Sequence, residues 1–189
     1  PPEIIGEALD QVHDLEAIEE VVIVSTCNRT ELYLDYRPSP NLENLDSEKE
    51  ENNLLMDKQR NIINWLAEFH KLEPEDILKC SYFFCEEDVV RHLMKVSCGL
   101  DSMVLGEPQI LGQIKSALAV SRDLNVVGEN LERAFQGTFS VAKRVRTDTA
   151  IGENPVSVAY AAVTLAERIF SNLSSLHILL IGAGSTIEL

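Results

Sequence analysis

Two short apolar runs set close together constrain this chain more than any other feature. Val21-Val22-Ile23-Val24 is continuously apolar, as a strand buried on both faces requires. Glu31-Leu32-Tyr33-Leu34-Asp35-Tyr36 alternates, as a strand with one covered face does. The link around Cys27-Asn28-Arg29 is short enough for a hairpin-like turn. Cys27 then sits at the exposed end of a rigid sheet, beside an arginine. Cysteine attacks as its thiolate, and a neighbouring cation lowers the pKa that limits the thiolate fraction. An isolated cysteine also serves as a small buried hydrophobe, and Asn-Arg is ordinary turn composition. This segment alone leaves both readings open.

Helical spacing dominates the rest. Ile4, Ile5, Ala8, Leu9 and Val12 predict an amphipathic helix over residues 3–14, and Ile62, Ile63, Leu66, Ala67 and Phe69 mark another that ends before Pro74. Residues 38–58 are polar and acidic and begin with two prolines, so a solvated loop or insertion is expected there. Tyr82-Phe83-Phe84 is a candidate third strand. Residues 86–98 form a helix with Val89, Leu93 and Val96 inward. His92 lies four residues after Asp88, close enough for the carboxylate to tune or orient the ring; it reads equally as a partly buried histidine closing the helix surface.

Gly99 to Glu107 is a loop with glycines near both ends, Pro108 suits a first helical position, and Gln109 and Gln113 share one helix face. Leu131, Phe135, Thr138, Ala142 and Val145 define a helix over 129–147. Gly152-Glu153-Asn154-Pro155 punctuates the chain, with Asn154 as N-cap of an alanine-rich helix, so a domain boundary falls near residue 150. His177 to Ile181 reads as a buried strand and runs into Gly182-Ala183-Gly184-Ser185-Thr186-Ile187. A strand ending in Gly-x-Gly opens a dinucleotide-binding βαβ unit, although Ile187 replaces the usual third small residue. The expected class is α/β: an α+β domain with a small sheet and several helices over residues 1–150, then the first helix and strand of a truncated Rossmann-type domain over 151–189.

The formal net charge of −15, from 31 acidic and 16 basic residues, argues against wrapping nucleic acid. Lys143, Arg144 and Arg146 nevertheless form a local basic cluster, read first as a solvated helix face. Cys27, Cys80, Cys85 and Cys98 make neither a dense disulfide pattern nor the paired spacing of a zinc site, so reduced thiols and no metal are expected. No membrane-length apolar run is present. The chain opens on Pro1-Pro2 and stops inside a motif at Leu189, so it reads as a piece of a longer protein and the missing targeting segment excludes little.

Several blocks together resemble the glutamyl-tRNA reductase family: Ser25-Thr26-Cys27-Asn28-Arg29-Thr30-Glu31, Gly99-Leu100-Asp101-Ser102, Leu105-Gly106-Glu107-Pro108-Gln109-Ile110-Leu111-Gly112-Gln113, Ser140 to Thr147, and Gly182 to Leu189. The stretch 38–58 matches no block. The resemblance implies NADPH-dependent reduction of glutamyl-tRNA to glutamate-1-semialdehyde in five-carbon tetrapyrrole synthesis; the reduced thiols make a cytoplasmic setting the expectation. It implies Cys27 as the nucleophile that forms a thioester, with His92 assisting proton transfer or polarising the carbonyl.

It further implies that Thr26, Asn28, Arg29, Ser102, Glu107, Pro108, Gln109 and Gln113 line the glutamyl pocket, with Arg29 gripping the side-chain carboxylate. Gly182, Ala183, Gly184, Ser185, Thr186 and Ile187 would open the NADPH site, which this piece is not expected to complete; the residue that separates NAD from NADP lies beyond it. A homodimer formed through a C-terminal region, and glutamate-1-semialdehyde aminomutase as partner, are also implied; a membrane is not. The basic cluster becomes a candidate tRNA contact. A Cys/His acyl hydrolase and a non-catalytic tRNA-binding or regulatory module are the competing readings.

Overall fold

The computed structural model describes residues 2–37, 48–102, 105–152 and 158–170, with Asn172, Leu173, Leu176, His177 and Leu179 beyond them. After helix α1 (Pro2–His13), strands β1 (Ile18–Ser25) and β2 (Thr30–Tyr36) pair antiparallel, from Ile18 opposite Tyr36 to Ser25 opposite Thr30. Six helices follow: α2 (Glu48–His70), α3 (Pro74–Lys79), α4 (Glu87–Ser97), α5 (Gln109–Asp123), α6 (Glu129–Asp148) and α7 (Val158–Ile169), with a 3-10 turn at Ala150–Gly152 before the last. The expectation of a small sheet among several helices is met over residues 2–152.

The two-residue period of β1 divides the core. Val22 and Val24 pack with Tyr33 of β2 against Leu93 and Val96 of α4, Ile114 and Leu118 of α5, and Leu131 and Phe135 of α6. Val21 and Ile23 point the other way, onto Ala8, Leu9 and Val12 of α1 and Ile62 of α2. β1 is thus covered on both faces, as its unbroken apolar run requires. β2 is less regular than its alternation suggests: Leu32 and Leu34 are half-buried, whereas Glu31 and Tyr33 are buried.

A second glutamate joins the sheet to α6. Glu20 is buried on β1, and its carboxylate accepts the backbone N–H groups of Asn130 (3.0 Å) and Leu131 (2.8 Å). α6 has no side-chain cap of its own at Gly128, so a strand residue supplies the missing acceptor and faces the positive end of the helix dipole. A Cβ at Gly128 would lie 2.6 Å from Glu20 Oε1, so glycine is what admits the carboxylate.

Three sequence expectations are corrected. Residues 48–58 are not loop: α2 begins at Glu48, because Glu, Lys, Leu and Met are strong helix formers and acidic residues are favoured in a first turn. Residues 38–47, the rest of that stretch, lie outside the described residues. Tyr82-Phe83-Phe84 is no strand, since the described sheet has two strands and this segment pairs with neither. The helix over residues 62–69 ends before Pro74 as expected, and Pro74 in addition opens the short α3. Pro108 sits at the N-cap of α5, one residue before the first helical position. The Asn154 cap and the Gly182–Ile187 turn lie outside the described residues, as does most of the strand expected before that turn; of its residues, His177 and Leu179 are exposed.

Candidate active site

The turn between β1 and β2 is built by one threonine. Thr26 N–H donates to the Arg29 carbonyl (2.9 Å), closing a four-residue turn with Cys27 and Asn28 at its corner. Thr26 Oγ1 accepts the N–H groups of Asn28 (3.2 Å) and Arg29 (3.1 Å) and donates to the Arg29 carbonyl (3.2 Å). Such local side-chain bonds are why Thr favours turns. Cys27 is exposed at that corner, not buried as a small hydrophobe. Cys80 and Cys85 are exposed too; Cys98 is buried. Partial desolvation and the adjacent Glu86 charge push the Cys85 thiol up, and burial does the same for Cys98.

Glu31 is the hub. Its Oε1 meets His92 Nε2 at 2.7 Å and Arg29 Nη1 at 3.2 Å and accepts the Tyr82 hydroxyl, while Oε2 accepts the Tyr33 hydroxyl at 2.5 Å. Burial alone would raise this carboxyl. The hydroxyls of Tyr33 and Tyr82 and the His92 ring outweigh it and hold the group below the usual carboxylate range. The cost falls on the donors: burial and the nearby carboxylate push both tyrosines far above their ordinary value. An ionised Glu31 accepts only, so a neutral His92 carries its proton on Nε2 and keeps the Nδ1 lone pair free.

Arg29 joins this hub to the loop after α4. Nη1 donates to Asp101 Oδ2 at 2.8 Å and Nη2 to the Asp101 carbonyl. Burial would lower the guanidinium pKa, but the bond to Asp101 and the Glu31 charge raise it, and Arg29 in turn holds Asp101 below its usual range. The loop itself is shaped at Gly99 and Gly106, with φ of 73° and 81°, and a Gly106 N–H to Gly99 carbonyl bond of 3.0 Å. Its far end is tied to α6 by Arg146 Nη2, 2.8 Å from the Glu107 carbonyl.

Of the residues singled out from sequence, Thr26, Cys27, Asn28 and Arg29 form the turn, and His92 joins them through Glu31. Ser102 and Glu107 are half-buried in the loop; Pro108, Gln109 and Gln113 are exposed on α5. No hydrogen bond or ion pair among the described residues ties Ser102, Pro108, Gln109 or Gln113 to the hub. The partner of His92 is not Asp88, which pairs with Arg91 at 3.4 Å, but Glu31, 61 residues earlier. Arg146 leaves the basic cluster, since it is half-buried on Glu107, while Lys143 and Arg144 stay exposed. Glu31, Tyr33, Tyr82 and Asp101 went unassigned in the sequence. The available signal was Glu31 and Tyr33 two apart on one strand face, a polar pair directed at a core.

Comparison with known proteins gives this geometry its setting. The sequence profile of the glutamyl-tRNAGlu reductase N-terminal domain matches residues 1–149. The chain belongs to the glutamyl-tRNA reductase family. It is 53% identical over 188 residues to a glutamyl-tRNA reductase of Ectopseudomonas mendocina, covering 100% of this chain and 40% of that protein. Identity to the Aliivibrio fischeri glutamyl-tRNA reductase is 50% over 188 residues, covering 100% of this chain and 41% of that one. Glutamyl-tRNA reductase from Methanopyrus kandleri superposes with a TM-score of 0.60 at 27% identity, over 89% of this chain and 37% of that one. The chain thus spans about 40% of the length of its curated relatives. Among the described residues, no helix is long and apolar enough to cross a membrane.

Proposed function

We propose that residues 1–150 form the glutamyl-accepting catalytic domain of a glutamyl-tRNA reductase acting in the cytoplasm, with Cys27 as nucleophile, and that residues 151–189 begin its nucleotide-binding domain. One observation carries this reading: an exposed thiol at the corner of a turn whose next residues lead, through Arg29 and Glu31, to an oriented imidazole. The Cys27 thiolate adds to the carbonyl carbon of the glutamyl ester. The bond to the ribose oxygen breaks, the tRNA leaves as an alcohol after gaining a proton, and a thioester remains.

His92 is suited to that proton movement, since Glu31 fixes Nε2 and leaves Nδ1 to act. Arg29 clamps the glutamyl side-chain carboxylate by exchanging it for Asp101, whose side chain is 54% exposed and therefore free to give way. Thr26 holds the turn; Asn28, Ser102, Glu107, Pro108, Gln109 and Gln113 line the remaining pocket. NADPH, when bound, supplies the hydride that reduces the thioester to glutamate-1-semialdehyde for tetrapyrrole synthesis. The residues that would meet its pyrophosphate, Gly182 to Ile187, lie outside the described residues. Homodimerisation and an aminomutase partner concern the remainder of the longer relatives.

The test is acyl transfer from labelled glutamyl-tRNA. Label should appear on Cys27 and, without a hydride donor, be lost to water as glutamate. Absence of both, with Cys27 slower to alkylate than Cys80, would remove the argument for a site here. Label lost to water even in full-length protein supplied with NADPH would favour the hydrolase. Lys143 and Arg144 are proposed to meet tRNA phosphates; neutralising both should flatten the salt dependence of tRNA binding, by about one unit of slope per contact.

A further inference from the structure

Three successive aromatic rings beside the site are left in water. Tyr82, Phe83 and Phe84 are 50%, 38% and 46% exposed, although burying such a side chain fully is worth about 1.5–3 kcal/mol. The rings are not loose. Phe84 lies nearly parallel on the His92 imidazole, with centroids 4.6 Å apart and planes at 26°. Tyr82 leans on both, 5.5 Å from Phe84 and 5.4 Å from His92, and its hydroxyl is fixed on Glu31. The stack is therefore anchored to the same carboxylate that orients the catalytic histidine and holds Arg29. Oriented aromatic faces are what an unpaired nucleobase meets in single-stranded recognition, where rings stack on bases.

We propose that Tyr82 and Phe84 form a stacking platform for the 3′-terminal nucleobase of the acylated RNA. This rests on the thioester reading above. In the ester that Cys27 attacks, the terminal base stands one ribose away from the reacting carbonyl. A base-binding surface must therefore border the Arg29–Glu31–His92 network, and this aromatic surface does. The platform also gives an acidic protein a way to hold an RNA end that depends little on overall charge.

The test compares two small esters on the full chain: 2′(3′)-O-glutamyl-adenosine, and the glutamyl ester of ribose lacking a base. Cys27 acylation is followed by intact-protein mass spectrometry at sub-saturating ester. Stacking of one base predicts a preference for the adenosine ester of about tenfold, up to roughly a hundredfold. Phe84→Leu should bring that ratio close to one, and Phe84→Trp should retain it. Because each ratio is taken within one variant, a general disturbance of His92 cancels. Both esters acylating wild type equally fast would overturn the platform and leave the thioester reading standing. A preference that survives Phe84→Leu would place the base elsewhere. If neither ester acylates Cys27 while alkylation shows a reactive thiol, the thioester reading itself fails and the platform with it. Should Phe84→Leu fail to fold, the wild-type ratio alone still decides against the proposal when it is near one.

Discussion

Glu20 and Glu31 sit on neighbouring strands of one hairpin, and both are almost completely buried, at 6% and 7% exposure. Their partners differ in kind. Glu20 accepts two backbone N–H groups at the start of α6, donors with no other state to adopt. Glu31 accepts from a histidine, an arginine and two tyrosines, all side chains that can titrate, reorient or exchange partners. The first carboxylate pins a helix end, and the second gathers side chains that can change state. Burial does not distinguish them; the donors do. A buried charge tied to amides stabilises a helix end, whereas one tied to ionisable side chains sets the tautomer and orientation of its partners.

The contrast can be broken or sharpened by experiment, the largest effect first. Cys27→Ser should abolish the acyl adduct while leaving the melting temperature unchanged, which separates the chemistry from the scaffold; a persisting adduct would move the nucleophile elsewhere. Glu31→Gln should slow acylation roughly a hundredfold through misplacement of His92 and Arg29, and single-turnover rates on folded protein would measure it. Glu20→Gln should do the opposite, lowering unfolding free energy by about 2–3 kcal/mol in urea titrations with little change in the Cys27 acylation rate per folded molecule. If both variants lose rate equally, the two glutamates are not functionally distinct.

Acidification gives a subtler separation. The folded pKa of Glu31 is depressed below its ordinary 4.5, so the stability it contributes is complete above about pH 4.5 and is lost as pH falls through the folded value. The difference in melting temperature between wild type and Glu31→Gln should therefore be flat from pH 7 to about 5 and shrink below that. A difference that grew on acidification would reverse the assigned sign. The smallest effect belongs to the loop: Gly106→Ala meets a positive φ and the Ile151 carbonyl 2.9 Å from the new Cβ, and should cost about 1–2 kcal/mol. It should raise KM more than it lowers kcat if the loop lines the glutamyl pocket.

Legibility followed the range of the forces involved. The hairpin, α1, α4 and α6 are readable because strand and helix periodicities are written within a few residues, and the start of α5 is marked by Pro108. The first turns of α2 are not legible because an acidic, proline-led stretch has the composition of a solvated loop, while helix propensity and the dipole favour the same residues in a first turn. The aromatic run looked like a strand because its composition suits one, yet no third strand of the described sheet lies beside it. Within the site, Cys27, Arg29 and His92 were visible as residue types, but Asp88 was the wrong partner for His92 because only near neighbours are visible in a sequence.

The amino-acid sequence by itself determined the family, the two strands, the turn that presents Cys27 and the helical faces that bury Val22 and Leu93. Those follow from local periodicity, turn chemistry and motif. Tertiary structure alone decided that Glu31 rather than Asp88 orients His92, that Asp101 occupies Arg29, that Arg146 holds Glu107 instead of facing solvent, and that Glu20 caps a helix more than 100 residues away. The reason is physical. A buried charge must find donors wherever packing brings them, and those donors came here from elements far apart in the chain.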